Sequence, residues 1–330
     1  MGDRSILRDV AHAAGVSLRT ASRVLNDDPR VAAATRQRVR EVMADLHYTP
    51  DLMARSLRGG TDTTIGLVVE SIADPFFSEL IAAVESATSE DGRSVLVSST
   101  HGDPGREFRV VEELLRRRIS GLLVVPSPGD HSWLAEAALP LVMVDRPAEG
   151  LDADVVGIDD RSAAFDAVSH LISHGHRDVA YVGDHSQVAT SAARLAGYRQ
   201  AMAQHGLDVH DRLVRADCPT ARAAAAATSG LLTDTRPPTA VFSAATRCSL
   251  GVVPALHEHR RSDVALVGFG DFAMADTLVP AVTVVDHSGF AVGRAAVARL
   301  AQRIGDPDLT PETISVPVAL VERGSGELRP

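Results

Sequence analysis

The strongest constraint on the fold is an alternation of short apolar runs and longer amphipathic segments, which begins after residue 61. The apolar runs are rich in β-branched residues and lack polar alternation, which is typical of parallel strands buried on both faces. Nine such strands exceed what one compact lobe of this kind usually holds, so we predict two α/β lobes with parallel sheets. The predicted strands are Ile65–Val69, Val95–Ser98, Leu122–Val125, Leu141–Val144, Val155–Ile158, Val179–Val182, Ala240–Ser243, Val264–Gly268 and Val282–Val285. The predicted helices lie near 77–91, 105–118, 161–174, 192–205, 221–233, 246–259 and 289–304.

The first 46 residues do not show this alternation of apolar runs and amphipathic segments, and their pattern predicts an all-α head. Serines that can cap helix starts and a glycine that can end a helix delimit the first two helices. Apolar residues at helical spacing define the third, and the sequence Arg58-Gly59-Gly60 marks a domain boundary. The predicted helices are Leu7–Ala14, capped by Ser5 and ended by Gly15, Leu18–Leu25, capped by Ser17, and Ala33–Leu46.

Charge is distributed unevenly along the chain. Residues 1–60 carry ten arginines and seven acidic residues, whereas the whole protein has a formal net charge of −10. A basic head on an acidic body suggests that only the head meets a polyanion. The sequence has no run of 18 apolar residues and no apolar stretch after Met1, so we expect neither a membrane span nor a secretory signal. Cys218 and Cys248 lack the spacing of metal ligands or of a disulfide framework, which fits a reducing cytoplasm.

Residues 10–25 have the pattern of a helix, a tight glycine turn and a capped second helix, which is typical of a helix-turn-helix. Pairs of short helices without a DNA role are also common, so the pattern alone leaves both readings open. In the first reading, exposed arginines of the second helix can bind the O6 and N7 edge of guanine, and serine can contact phosphate. The predicted exposed residues are Leu18, Arg19, Ser22 and Arg23, and the residues that pack the two helices are Val10, Val16, Ala21, Val24 and Leu25.

Ordered matches along essentially the full chain make this sequence resemble the lac repressor (LacI/GalR) family of bacterial regulators. One departure lies at Ile6, where the family usually has threonine or serine. The matches in the head and linker are Asp9–Ala11, Gly15–Ser17, Ser22–Asn26, Arg30–Val31, Thr35–Arg36, Arg38–Val39, Tyr48–Pro50 and Ala54–Leu57. The matches in the body are Thr64–Val69, Asp74–Phe77, Val144–Pro147, Gly175–Arg177, Arg194–Tyr198, Pro238–Phe242 and Leu320–Arg323.

The resemblance implies roles for residues of the head and the linker in binding palindromic operator DNA. Residues 51–57 resemble the family's hinge helix, which folds when two copies meet on the operator, and seven residues are too few for a stable isolated helix. An apolar wedge from such a hinge can unstack a base step in the minor groove and bend the duplex. The implied base-reading residues are Leu18, Arg19 and Arg23, the implied phosphate contacts are Ser17, Ser22, Asn26, Thr35 and Tyr48, and the implied minor-groove residues are Ala54 and Leu57.

The body resembles the two-lobed periplasmic-binding-protein fold, in which the family binds a small effector between the lobes. An aromatic pair after the first strand can stack on a ligand, although Phe77 also fits a helical stripe that is core or dimer surface. The implied effector-binding residues are Phe76, Phe77, Asp145, Thr190, Arg194, Thr246 and Asp271. Two departures weaken the expectation of a common sugar, because Thr246 and Gly270 stand where the family usually has an acidic or amide group. A phosphorylated ligand, a less polar ligand and no ligand all stay open.

Two rival functions are weighed against a DNA-binding regulator. A solute-binding protein of transport type would share the body, but it would need a secretory signal, which we do not expect here, and it would have no use for the head. An enzyme would need catalytic groups, and the histidine pairs His174/His176 and His257/His259 have no third metal ligand at suitable spacing. A G-x-S-x-G motif and a P-loop are also absent from the sequence. We therefore expect no catalytic activity, no cofactor and no metal.

The sequence as a whole predicts a homodimeric, cytoplasmic and nucleoid-associated repressor whose operator affinity a small ligand controls. The predicted head spans residues 1–49 and the hinge and linker span 50–60. The predicted body spans 61–330, with one lobe at about 61–160 plus 287–317 and the other at about 161–286 plus 318–330. The operator sequence, the effector and the direction of the switch do not follow from the sequence.

Overall fold

The protein is described from a computed structural model, which covers residues 6–25, 28–48 and 64–330. The chain divides into two compact units, residues 1–62 and residues 63–330, and each is described by itself. The described helices of the first unit are α1 (Leu7–Ala13), α2 (Leu18–Leu25) and α3 (Ala33–Asp45).

The head is a three-helix unit built around a small apolar core. Val10, Val24 and Val39, one from each helix, are almost fully buried against one another. Gly15 adopts a left-handed φ of +64°, which L side chains rarely adopt, so it forms the tight turn that the sequence predicts between α1 and α2. Ser17 caps α2 as predicted, because its Oγ accepts a hydrogen bond of 3.1 Å from the Thr20 backbone N–H. The predicted cap Ser5 lies outside the described residues.

The body contains two six-stranded sheets, which confirms the predicted pair of α/β lobes. The first sheet has the order β11-β5-β4-β3-β1-β2 and is parallel throughout. The second has the order β12-β10-β9-β8-β6-β7 and is parallel except for the β10–β12 pair. The strands are β1 (Thr64–Val69), β2 (Ser94–Ser99), β3 (Gly121–Val124), β4 (Leu141–Asp145), β5 (Asp154–Gly157), β6 (Val179–Val182), β7 (Val214–Arg215), β8 (Ala240–Ser243), β9 (Ala265–Phe269), β10 (Thr283–Asp286), β11 (Thr313–Ser315) and β12 (Ala319–Val321).

Helices cover both faces of each sheet, as parallel strands require. On the first sheet α4 and α10 pack together on one face and α5 covers the other. On the second sheet α6 and α7 share one face, and α8 and α9 share the other. The helices are α4 (Pro75–Glu90), α5 (Pro104–Arg116), α6 (Asp160–Ser173), α7 (Ala189–Gln204), α8 (Ala221–Leu232), α9 (Thr246–Glu258) and α10 (Gly289–Gly305), with 3-10 helices at Ser132–Glu136 and Asp211–Leu213.

The chain passes between the two sheets three times, after β5, after β10 and after β11. Because the strands of each sheet are mostly parallel, the loops that follow them gather at one edge of each sheet. Ligands in such folds bind outside the carboxyl ends of strands. The crossings therefore place two carboxyl-end edges where they can form one cleft.

A buried ion cluster fixes the segment that leads into the last crossing. Asp154, at the start of β5, is fully buried and accepts hydrogen bonds from Arg299 (Nε, 2.8 Å) and from Arg303. The same carboxylate accepts from the Glu312 backbone N–H at 3.0 Å, and Arg299 Nη2 donates to the Thr310 carbonyl at 2.8 Å. This one carboxylate therefore joins β5, α10 and the stretch before β11.

A buried histidine–glutamate pair ties α5 to the loop after β3. His131 Nε2 lies 2.7 Å from Glu107 Oε1, and His131 Nδ1 lies 2.7 Å from the Gly129 carbonyl oxygen. Both ring nitrogens thus face acceptors, while the second oxygen of Glu107 accepts from the Ser127 backbone N–H at 2.6 Å. Burial opposes the charged ring, but the hydrogen bond and the charge of Glu107 outweigh it and raise the pKa of His131 above its ordinary value of 6.5.

His131→Gln is expected to flatten the pH dependence of stability on the alkaline side of neutrality. A raised folded-state pKa gives stability that is complete below the unfolded-state pKa and is lost as the pH rises through the folded-state pKa. The contribution to the slope is at most about 1.4 kcal/mol per pH unit. Urea midpoints between pH 6 and pH 9 measure it, with exposed His257→Gln as the control. An unchanged slope in His131→Gln would show that the ring is not held protonated.

Candidate functional site

The exposed face of α2 carries the residues that the sequence predicts to read DNA bases. Ala21 and Val24 point into the core of the head, which leaves Leu18, Arg19 and Arg23 on the opposite side. Leu18 is 42% exposed, so its side chain is free to make an apolar contact. This face therefore combines two guanidinium groups with an apolar contact group.

The two arginines of this face differ in their surroundings. Arg23 Nε lies 3.7 Å from Asp28, and that carboxylate also accepts hydrogen bonds of 2.9 Å and 2.8 Å from Arg30. The hydrogen bonds from Arg30 lower the pKa of Asp28 to about 2. Arg19 makes no ion pair within the described part of the head. Arg19 is therefore the freer donor, whereas Asp28 orients Arg23.

The predicted phosphate contacts are distributed around this face. Ser17 is exposed at the start of α2, and its Oγ already caps the helix. Ser22 is half-buried, and Thr35 lies in the first turn of α3. Tyr48 packs partly against the core of the head. The predicted contacts Asn26, Ala54 and Leu57 lie outside the described residues.

The cleft of the body is formed where strand ends of the two sheets meet. Lobe-one residues follow β1 and β4 and begin α4, and lobe-two residues follow β6 and β8 and begin α7 and α9. A crossing residue after β10 completes the lining. The cavity is about 50 Å³, and the residues that line it are Glu70, Asp74, Phe76, Phe77, Asp145, Arg146, Asp184, Val188, Thr190, Ser191, Arg194, Ala245, Thr246, Arg247 and His287.

Arg247, in the first turn of α9, bridges the two lobes through three carboxylates. Its Nη2 lies 2.7 Å from Glu70 and 3.5 Å from Asp74, both of which follow β1 in the first sheet. Its Nη1 lies 3.2 Å from Asp184, which follows β6 in the second sheet. Burial disfavours its charge, but the three acids outweigh burial and raise the pKa of Arg247. The guanidinium is therefore a charged link across the cleft.

Burial and neighbouring charges shift the pKa values of Glu70 and Asp74, two acids around Arg247, in opposite directions. Burial disfavours the charge of Glu70, but Arg146 and Arg247 outweigh it and lower the pKa of this carboxyl. Arg146 Nη2 donates to Glu70 at 2.9 Å. Burial dominates at Asp74 and raises its pKa, because Arg247 is its main compensating charge and Glu70 and Asp145 repel it. Negative charge in the cleft is thus incompletely compensated.

Arg194, on α7, is held by three partners in the wall of the cleft. Its Nε donates to Asp160 at 2.7 Å, its Nη1 donates to the Ala244 carbonyl at 2.9 Å, and its guanidinium carbon lies 3.8 Å from the centre of the Phe269 ring. Burial raises the pKa of Asp160, and Arg194 limits the rise. The arginine is therefore fixed in place before any ligand arrives.

His287 lies deep in the cleft, stacked on Phe76 with ring centroids 4.7 Å apart. Burial, reinforced by the charge of Arg194, lowers the pKa of His287 to about 3, so the ring is neutral. A Cβ on Gly270, whose φ is +88°, would come within 2.0 Å of Thr246 Oγ1 and 2.8 Å of the His287 ring. The absence of a side chain at Gly270 therefore leaves the space that the Thr246 hydroxyl and the His287 ring occupy. The two departures from the family pattern, Thr246 and Gly270, thus lie side by side.

Six of the seven predicted effector-binding residues line this cleft, namely Phe76, Phe77, Asp145, Thr190, Arg194 and Thr246. Asp271 does not line it, and its carboxylate binds Arg323, which follows β12, at 2.8 Å. Sequence reasoning missed six lining residues with ionisable side chains. Their shared signal is a position just after a buried strand or in the first turn of a helix, and they are Glu70, Asp74, Arg146, Asp184, Arg247 and His287.

Two further observations concern other kinds of site. His176, one of the histidines with metal-like spacing, uses both ring nitrogens for structure, since they lie 2.9 Å from Thr239 Oγ1 and 2.9 Å from the Leu328 carbonyl. Within residues 6–25, 28–48 and 64–330, no group of three or more His, Cys, Asp or Glu side chains could hold a metal ion. In the same ranges, none of the helices has the length and apolar character to cross a membrane.

The fold and the two sites define a class of protein with a helix-turn-helix head and a two-lobed binding body. Residues 6–51 match the description "Bacterial regulatory proteins, lacI family", and residues 168–326 match a "periplasmic binding protein-like domain". The chain is 31% identical to the HTH-type transcriptional regulator GalR of Escherichia coli (94% of this chain, 92% of the relative). It is also 31% identical to the ribose operon repressor of Escherichia coli (97% and 99%). The chain therefore belongs to the lacI family of bacterial regulatory proteins.

Solved structures agree with this assignment. The lac repressor dimer bound to operator and the anti-inducer ONPF superimposes with a TM-score of 0.88 at 26% identity, covering 98% of this chain and 99% of that chain. The transcriptional regulator CelR–cellobiose complex gives a TM-score of 0.73 at 28% identity, covering 98% and 100%. The predicted family and fold class are thus confirmed.

Proposed function

We propose that this protein is a homodimeric transcriptional repressor that binds a palindromic operator and changes its affinity when a small ligand enters the cleft. The observation that carries the proposal is the exposed face of α2, with two arginines and an exposed leucine on a capped helix. The relatives support it, because their names describe operon repressors and one solved relative is a dimer on its operator. We further propose the division into a head at 1–49, a hinge and linker at 50–60 and a body at 61–330.

In the proposed mechanism, α2 enters the major groove and its arginines hydrogen bond to base edges, which specifies the sequence. Leu18 adds an apolar contact. Hydroxyl and amide groups around the helix bind phosphates and fix its register, which gives affinity without sequence information. The proposed phosphate contacts are Ser17, Ser22, Asn26, Thr35 and Tyr48.

In the body, the proposed effector binds between the lobes and favours one lobe arrangement over the other. Only a difference in affinity between two arrangements can shift such an equilibrium. Arg247 already links the lobes through ion pairs to Glu70 and Asp184. A ligand in the cleft therefore either competes with these ion pairs or adds further contacts to them. The direction of the switch depends on which arrangement holds the two heads at operator spacing.

Footprinting and mobility-shift assays on upstream DNA of the source genome test the proposal, with and without cell extract. We expect protection of an inverted repeat whose affinity falls steeply with salt, because phosphate contacts release counterions. Absence of any protected repeat under both conditions would contradict it. The assay also separates this function from that of a transport-type solute-binding protein, which would share the cleft but bind no DNA. We propose no catalytic role and a cytoplasmic, nucleoid-associated location.

Leu57→Ala is expected to weaken specific operator binding more than non-specific binding. We propose that Leu57, together with Ala54, inserts into the minor groove only when two hinge segments meet on a true operator. There, the cost of unstacking a base step is offset by the additional contacts with the bent DNA. Competition with bulk DNA in a mobility-shift assay measures both affinities, with Leu52→Ala in the same segment as the control. Equal losses on the two kinds of DNA would remove the wedge.

A further inference from the structure

The cleft carries more negative than positive charge. Among the described residues that line it there are four carboxylates, on Glu70, Asp74, Asp145 and Asp184, and three guanidiniums. One of those guanidiniums, on Arg194, is already neutralised by a fifth carboxylate, Asp160, at 2.7 Å. These four side chains are only 8–15% exposed, and an uncompensated carboxylate at such burial is costly. The cleft therefore favours a further positive charge and disfavours a further negative one.

Arg247 shows where a positive charge can sit. Its guanidinium lies among Glu70, Asp74 and Asp184, at 2.7 Å, 3.5 Å and 3.2 Å, so carboxylates of both lobes converge on one cation. The side chain is attached to the first turn of α9 and occupies the cleft from one side. It is a tethered cation in a site that a free cation can also occupy.

His287 gives a second and independent sign of an unfilled site. The side chain is 7% exposed and lines the cleft, and its Nδ1 is buried without a hydrogen bond of standard geometry to the described residues, although the ring also faces the Val285 backbone. A buried polar atom of this kind costs free energy unless a partner satisfies it. The ring is neutral, so in one tautomer Nδ1 is an acceptor that an N–H or O–H of a ligand can satisfy.

We propose that the effector of this cleft is a cation, a small molecule with a primary ammonium or guanidinium group, which binds the carboxylates that Arg247 now shares. The proposal rests on the proposed function, since it names the ligand class of that switch. The cavity of about 50 Å³ is far below the 300 Å³ or more of ordinary ligand sites, so the ligand displaces the Arg247 side chain on entry. Once displaced, the Arg247 side chain no longer links the two lobes, so ligand binding changes how the lobes are held together.

Probes of matched shape and different charge test the ligand class on the full-length protein. The probes are D-glucosamine, D-glucose and D-glucose 6-phosphate on one ring, putrescine against 1,4-butanediol, and agmatine against 1-pentanol. Ionic strength is held constant with sodium chloride, and the melting temperature and calorimetric Kd are measured. At tenfold excess over Kd, we expect at least one amine or guanidine to raise the Tm by about 2–5 °C and its uncharged counterpart to have no effect. The proposal is wrong if no cationic probe shifts the Tm, or if a neutral or anionic probe shifts it more.

Arg247→Ala tests whether the arginine competes for the same carboxylates. Removing the tethered cation frees three acids, so methylguanidinium is expected to bind the variant about tenfold more tightly than it binds the parent. It is also expected to restore the Tm of the variant beyond the effect of equimolar sodium chloride. Arg247→Met keeps more of the side-chain volume and serves as a second variant, and Arg117→Ala, which breaks an exposed ion pair with Glu113, is the matched control. Equal affinity of methylguanidinium for the parent and both Arg247 variants would overturn the competition.

Operator binding separates this inference from the proposed function. A mobility shift of the unliganded parent on its inverted repeat establishes the regulator whatever the probes do. If the repeat is bound and the probe series fails, only the cationic ligand class is wrong. If no repeat is bound and cationic probes still occupy the cleft, the ligand class stands and the DNA function is wrong.

Discussion

Asp154→Ala is expected to lower the free energy of unfolding of the body by about 3–5 kcal/mol, because it removes the carboxylate shared by the buried guanidinium of Arg299 and the half-buried one of Arg303. Asp154 is fully buried, and Arg299 is 6% exposed, so water cannot replace the lost partner. The change also removes the acceptor of the Glu312 backbone N–H, 3.0 Å away, which anchors the stretch before the last crossing between lobes. Both losses act on the same segment, so the local structure there weakens together with global stability.

Urea unfolding monitored by circular dichroism measures this loss. The matched control is Asp263→Ala, because Asp263 forms a 2.8 Å ion pair with Arg261 but is 66% exposed. Exposed pairs of this kind contribute about 0–1 kcal/mol, so the control separates burial from pairing. Asp154→Asn keeps the volume and one of the two acceptor oxygens, and we expect an intermediate loss. A loss for Asp154→Ala no larger than that of the control would show that the two arginines find water or other acceptors.

Much of the fold of the body could be predicted because its strands are continuous apolar runs. Each of the nine predicted strands overlaps an observed strand within about two residues at either end, since burial on both faces demands such runs. Three strands were missed, namely β7, β11 and β12, which are two or three residues long and half-exposed. Their pairing comes from tertiary contacts at sheet edges, and no local pattern marks them.

The cleft was harder to predict than the fold because its charged residues depend on distant partners. Glu70 and Arg247 are separated by 177 positions, yet their side chains lie 2.7 Å apart. The local sequence around neither residue predicts this ion pair. Asp271 shows the reverse case: the family resemblance implied a place in the cleft, whereas its carboxylate pairs with Arg323. Side-chain direction at a strand end is decided by such partners. Residue type and order placed most of the predicted residues at the cleft, but did not indicate that Glu70, Asp74 and Asp184 also line it.

The head was predictable for a different reason, because its determinants are local. A glycine at the turn, where φ is +64°, a serine three residues before the N–H from which it accepts, and apolar residues at helical spacing are all short-range features. The difference between Arg19 and Arg23 was not visible, since it depends on Asp28 and Arg30 in the next turn. That difference makes Arg19 the sharper probe of base reading.

Arg19→Ala is expected to relax base preference at one position of each half-site and to cost about 1–3 kcal/mol of binding to the preferred sequence. Arg19 is exposed on α2 and makes no ion pair in the described part of the head, so its guanidinium is available for a guanine edge. The figure of about 1–3 kcal/mol applies to each half-site, so a dimer on a symmetric operator is expected to lose it twice. Affinity for sequences that already lack the preferred base at this position is expected to change little.

Selection from random inverted repeats, followed by mobility shifts on single-base variants of the selected operator, measures this preference for parent and variant. Arg8→Ala is the charge-matched control, since it removes one exposed guanidinium from α1 and leaves α2 intact. A phosphate or long-range contribution weakens binding to all sequences alike, so the control is expected to lower affinity uniformly or not at all. If Arg19→Ala also lowers affinity uniformly, with the same ranking of operator variants as the parent, then Arg19 contributes charge and the bases are read by other residues of the head.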